Sequence, residues 1–72
     1  MEKTEFQRLL EESGIGKRFI YTKLNLSPVT YDKRIVQPIE LTCKQVQILS
    51  SILKMEETVL YKLVTDPKNN LQ

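Results

Sequence analysis

The sequence predicts a single all-α domain of five short helices. Apolar residues recur every three or four positions along most of the chain, which is the spacing of one helix face. Residues that favour helix starts precede three of these segments, and no stretch alternates apolar and polar residues over the length of a strand. With 72 residues there is room for one domain. A chain this short hides only about 60% of its unfolded surface, so we expect marginal stability.

The helix starts are the clearest local signals. Thr4 with Gln7 and Thr42 with Gln45 each fit a capping box, and Ser27 precedes a proline that suits the first helical position. These signals, with the apolar periodicity, place helices at about residues 4–13, 17–24, 28–36, 42–54 and 57–64.

The helix ends are also marked. Gly14 and Asn25 suit the left-handed conformation that follows many helices, and Pro38 must stop the third helix. Two apolar pairs across helix starts, Leu26 with Tyr31 and Leu41 with Val46, fit hydrophobic staples. The predicted domain spans residues 1–66, and the polar tail at residues 67–72 is expected to fray.

Positive charge is concentrated in the middle of the chain. The net charge is +2 overall, but residues 14–44 carry six Lys or Arg against two acidic residues, a net of +4. Residues 1–13 carry a net of −2. An anionic partner would therefore meet the central segment.

The composition argues against several classes of function. With no histidine and one cysteine, the chain cannot build a disulfide framework, the usual zinc sites or a histidine-based nucleophile. We expect no enzyme, cofactor or metal. Cys43 is interpreted as a small filler, with a reactive thiolate as the alternative. No apolar run suits a membrane span or signal peptide, so we expect a cytoplasmic protein.

Only Asn25, Leu26 and Ser27 join the second and third helices. A turn this short between two helices is typical of a helix-turn-helix, whose second helix enters the major groove of DNA. The segment GIGKRFIYTKLNLSPVTYDKRIVQP resembles the helix-turn-helix of the lambda repressor/Cro (XRE-type) family of bacterial and phage regulators. The positions that carry the resemblance are Phe19, Ile20, Leu24, Asn25, Leu26, Ser27 and Tyr31, and it extends over about residues 4–65.

Two positions depart from the family pattern. Asn25 stands where the turn usually has Gly, and Tyr21 stands where the two helices usually meet at Ala. A phenol at that crossing is expected to separate the helices unless its ring lies at the edge.

The resemblance implies which residues would meet DNA. Positions expected to contact bases are Ser27, Pro28, Val29, Asp32 and Lys33. Positions expected to contact phosphates are Lys17, Arg18, Arg34, Thr42 and Lys44. In physical terms, Lys33 can reach guanine, Val29 can touch a thymine methyl group, and Asp32 can accept only from cytosine N4.

The sequence therefore predicts a DNA-binding transcriptional regulator that acts as a homodimer on double-stranded DNA. The expected dimer interface on the fifth helix comprises Val59, Leu60, Leu63 and Val64. These four apolar residues are more than one narrow core-facing stripe of a helix needs. The alternative is a protein–protein interaction module, such as an antitoxin-like or phage accessory protein, that keeps the fold. Pro28, Asp32 and the low net charge favour that alternative.

Overall fold

The computed structural model describes residues 3–70 and shows five α-helices in that range. The helices are α1 (Glu5–Glu12), α2 (Lys17–Lys23), α3 (Pro28–Val36), α4 (Cys43–Leu53) and α5 (Glu57–Thr65), with 3-10 turns at Pro38–Glu40 and Pro67–Asn69. Residues 3–70 contain no strand, which confirms the all-α class. No helix in this range is long and apolar enough to cross a membrane.

All three predicted helix starts are capped by side chains. In the Thr4 box the hydroxyl accepts from the Gln7 N–H at 3.1 Å, and Gln7 Oε1 accepts from the Thr4 N–H at 2.8 Å. The Thr42–Gln45 box repeats this at 3.1 and 3.0 Å. Ser27 accepts from the Thr30 N–H at 3.2 Å. Each cap satisfies donors that an α-helix leaves unpaired at its start.

The helix ends use the left-handed conformation at three places. Gly14 (φ 76°) follows α1 and Asn25 (φ 60°) follows α2, as the sequence predicts. Lys54 (φ 56°) follows α4, where a residue with a Cβ is strained. There the Met55 N–H donates to the Ser50 carbonyl at 3.0 Å, which closes the helix end.

Every α-helix contributes to one apolar core. Partly buried side chains surround it, and they include Leu26 and Leu41, the outer members of the two predicted staples. Burying the apolar stripe of each helix holds these short segments in the helical state. The fully buried apolar residues are Phe6, Leu10, Ile20, Leu24, Tyr31, Val46, Leu49, Leu60 and Val64.

Two of the four residues expected in the dimer interface are buried inside the single chain. Leu60 and Val64 are 0% and 2% exposed and belong to the core of the single chain, so no partner can reach them. They lie four positions apart, on the same side of α5. Val59 stays at the surface and Leu63 is partly buried.

The C-terminal segment differs from the expected frayed tail. Asn69 is 1% exposed, and its side chain accepts from the Phe6 N–H at 3.2 Å and donates to the Leu63 carbonyl at 3.0 Å. Asn70 donates to the Val64 carbonyl at 2.9 Å and accepts from the Ile39 N–H at 2.8 Å. The two amides thus pair backbone groups at the start of α1, in the turn at Pro38–Glu40 and at the end of α5. Residues 71–72 lie outside the described range.

Replacing Asn69 should therefore destabilise the whole domain. Asn69→Ala leaves the buried Phe6 N–H without its partner and removes one of the two hydrogen bonds to the Leu63 carbonyl, which should lower the free energy of unfolding by about 1–3 kcal/mol. Urea denaturation followed by circular dichroism measures this. The control is Lys68→Ala at a neighbouring exposed position, expected within about 0.5 kcal/mol of the parent chain. Equal stability of the two variants would contradict the role given to Asn69.

Candidate nucleic-acid interface

Helices α2 and α3 are joined by four residues, Leu24–Ser27. Leu24 is buried, Asn25 turns the chain through its left-handed conformation, and the Leu26 N–H donates to the Tyr21 carbonyl at 2.8 Å. Leu24 is thus held by the core, and Leu26 is held by a hydrogen bond to the backbone of α2. The connection holds α3 in a defined position against α2.

Two tyrosines form the contact between α2 and α3. The Tyr21 and Tyr31 rings lie 5.8 Å apart between centroids and are tilted by 55°, a favourable aromatic geometry. Tyr31 is buried and Tyr21 partly buried, so the Tyr21 ring packs onto its partner at the margin of the core. Burial, followed by the charges of Asp32 and Glu11, raises the pKa of the Tyr31 phenol. Tyr31 is a core residue, as the staple predicts.

One side of α3 is open to solvent. Pro28, Val29, Asp32 and Lys33 are all exposed, and Val29 is 65% exposed despite its apolar side chain. Ser27 is exposed as well, but its hydroxyl accepts from the Thr30 N–H and donates to Thr30 Oγ1 at 2.9 Å. Four of the five expected base-contacting side chains are therefore available, and the fifth caps its own helix.

The start of α2 lies beside this face of α3. Lys17 Nζ is 3.6 Å from Asp32 Oδ1, and the two side chains are 63% and 59% exposed. An ion pair this exposed contributes about 0–1 kcal/mol to stability. It therefore shows that the two side chains are close together and adds little to the stability of the fold. Arg18 is exposed next to it. Of the expected phosphate contacts on α2, Lys17 thus lies beside one of the expected base contacts on α3.

The start of α4 is tied to the same region. Gln45 Nε2 donates to the Leu24 carbonyl at 3.3 Å, while Oε1 of the same side chain completes the cap of α4. Thr42 and Lys44, the expected phosphate contacts here, are exposed. Sequence reasoning identified Gln45 only as a capping residue, because its second partner is 21 positions away.

Arg34 lies in the last turn of α3 and is partly buried. The other nine expected DNA contacts are exposed, so Arg34 is set apart from them in this respect. A partly buried guanidinium on the helix flank suits a phosphate better than a base in the groove.

Phe19 and Cys43 both lie at the surface. Phe19 and Ile20 both carry the resemblance to the family, yet only Ile20 reaches the core and Phe19 is 51% exposed. Neighbouring residues on a helix point about 100° apart, so one narrow core face cannot hold both. The Lys23 ammonium, one turn later, lies over the Phe19 ring at 5.4 Å from its centroid. The four-residue spacing of Phe19 and Lys23 is the signal in the sequence that could have indicated an exposed Phe19. Cys43 is exposed at the start of α4, where the sequence predicts a small, partly buried filler.

A further open groove runs between α4 and α5. It is lined mostly by apolar and uncharged groups, including Cys43, Val46 and the exposed Tyr61. Within residues 3–70 no group of three or more Asp, Glu, Cys or His side chains could hold a metal ion. No family model, curated protein or solved structure matches this chain.

The cap at Ser27 makes a specific prediction about α3. Ser27→Ala removes the hydroxyl that pairs the Thr30 N–H, so the free energy of unfolding should fall by about 1 kcal/mol. Thermal or urea unfolding measures the loss. Ser51→Ala is the matched control, because Ser51 is exposed inside α4 and its replacement should change stability by less than about 0.5 kcal/mol. A neutral Ser27→Ala variant would show that α3 does not depend on this cap.

Proposed function

We propose that this chain is a DNA-binding transcriptional regulator that places α3 in the major groove. The observation that carries the proposal is the exposed side of α3, with the cationic Lys17 of α2 beside it. Lys17 forms an ion pair with Asp32 on that side of α3. The Gln45 side chain donates to the Leu24 carbonyl and so links the start of α4 to the α2–α3 connection. An α-helix fits the major groove, and cations beside it suit the phosphate backbones.

The resemblance to the lambda repressor/Cro family supports the same proposal. In this interpretation α2 and α3 form the helix-turn-helix, and α1, α4 and α5 form the scaffold that holds it. The capped start of α3, the positive φ at Asn25 and the buried Tyr31 fit that pattern. Such a regulator acts on DNA in the cytoplasm of a bacterium or a phage-infected cell.

The residues divide by role. Lys33 and Val29 are the proposed base contacts with side chains free to reach a base edge. Lys17, Arg18 and Lys44 supply the charge that gives affinity without sequence information. The contribution of Ser27 to base recognition is small, because its hydroxyl is engaged with Thr30.

We propose that the protein binds DNA as a homodimer through α5. Val59 is 47% exposed and lies one turn before the partly buried Leu63, which leaves an apolar strip on the side of α5 that does not face the core. A two-fold dimer would present two α3 helices to half-sites one turn of DNA apart.

The exposed aromatic groups favour a second function, a protein-interaction module. Phe19 on α2 and Tyr61 beside the α4–α5 groove present apolar area to solvent. Aromatic residues are enriched in the centres of protein interfaces. In that case Phe19→Ser would abolish partner binding, whereas reversal of the charges on α2 would leave it intact.

Charge reversal on α2 tests the DNA-binding proposal. Binding of a fluorescent duplex of mixed sequence should weaken steeply as salt rises, and Lys17→Glu with Arg18→Glu should abolish it, because two phosphate contacts become repulsive. Fluorescence anisotropy from low to moderate salt measures this.

The control for that experiment is Lys62→Glu with Lys68→Glu. It changes the net charge equally but at exposed positions on α5 and the last 3-10 turn. We expect it to keep most of the affinity. If the parent chain bound no duplex even at low salt, the proposal would be wrong. If both double variants lost binding equally, net charge rather than the α2–α3 face would be responsible.

The proposed dimer has its own test. Val59→Glu places a charge at the exposed end of the apolar strip and should convert the dimer to a monomer, because an unpaired carboxylate is costly to bury. Sedimentation equilibrium of both chains measures the association. Thr58→Glu adds the same charge at the neighbouring exposed position and should leave the dimer intact. A monomeric parent chain would refute the homodimer.

A further inference from the structure

The ion pair between Lys17 and Asp32 joins a residue of α2 to the exposed side of α3. We propose that Asp32, with Lys17 as its counter-ion, selects a cytosine at one position of the bound DNA. This inference rests on the proposed DNA-binding function. It assigns Asp32 a role in specificity and gives Lys17 a different role from its neighbour Arg18.

The location of Asp32 places it among the groups that would meet base edges. It is exposed, three positions after Val29 and directly before Lys33 on the open side of α3. Residues three apart on a helix are surface neighbours, so Asp32 and Val29 would face the same part of the groove.

The chemistry of an ionised carboxylate restricts the base it can read. It accepts hydrogen bonds and donates none. In the major groove guanine presents two acceptors and thymine presents an acceptor, so both repel it. Adenine has an amino donor next to the N7 acceptor, whereas cytosine presents its amino donor alone. Cytosine is therefore the base whose own major-groove edge presents a donor and no acceptor.

A carboxylate in the groove also needs a counter-ion, because phosphate charges surround it. Lys17 Nζ already lies 3.6 Å from Asp32 Oδ1, and it approaches from a different helix. The pair is weak in the free protein because water surrounds both groups. When DNA displaces that water, the same two charges attract more strongly. Lys17 thereby lowers the cost of bringing Asp32 to the base.

Selection from a randomised duplex library tests the base preference, with the parent chain and Asp32→Ala run in parallel. The parent chain should enrich cytosine at one position per half-site by about five-fold or more. Asp32→Ala should lose that preference and keep the other selected positions. Circular dichroism confirms that the variant folds. A preference unchanged by Asp32→Ala, or one for another base that disappears with it, would overturn the inference.

A double-mutant cycle tests the role of Lys17 on the selected duplex. Lys17→Ala should weaken binding at least about two-fold more in the parent chain than in Asp32→Ala, because the carboxylate then lacks its counter-ion. Arg18→Ala is the control and should weaken binding equally in both backgrounds. Equal losses for Lys17→Ala would make it a plain phosphate contact and overturn this part of the inference.

DNA binding and cytosine selection are separable in these experiments. A parent chain that binds no duplex at low salt refutes the proposed function, and this inference with it. A parent chain that binds duplex with steep salt dependence but shows no cytosine preference that depends on Asp32 refutes the inference alone.

Discussion

Every α-helix within residues 3–70 depends on the core that the five helices share. They run from seven to eleven residues, and isolated helices shorter than about 12–15 residues are marginal in water. The core is small, so each helix offers one narrow apolar face and must direct the rest of its surface outward. This constraint places Ile20 inside and Phe19 outside, and it buries Leu60 and Val64 while Val59 remains at the surface.

The same constraint explains how the candidate interface is held. α2 and α3 are too short to form a stable pair alone, and Tyr31 anchors α3 in the core while its ring contacts Tyr21. Gln45 then links this pair to α4 through one side chain that serves two partners. The exposed side of α3 carries no part of the core, so its side chains are free to meet a ligand.

Local signals in the sequence predicted the helices well because caps and turns are decided by residues a few positions apart. The hydroxyl caps at Thr4, Ser27 and Thr42 and the left-handed Asn25 are of this kind. Contacts between distant positions were not predictable from periodicity. The bond between Gln45 and Leu24 and the packing of Asn69 against α1 depend on the folded arrangement, and no pattern within a single segment encodes them.

The Asn69 contact has a consequence for the topology of the chain. Because Asn69 bonds the backbone of Phe6, the two ends of the described segment are neighbours in space although 63 positions separate the two residues. Neighbouring termini are the geometry that tolerates circular permutation. In a permuted variant a short linker could therefore join the two ends of the described segment, and the chain could be opened in an exposed connection between two helices without removing any helix.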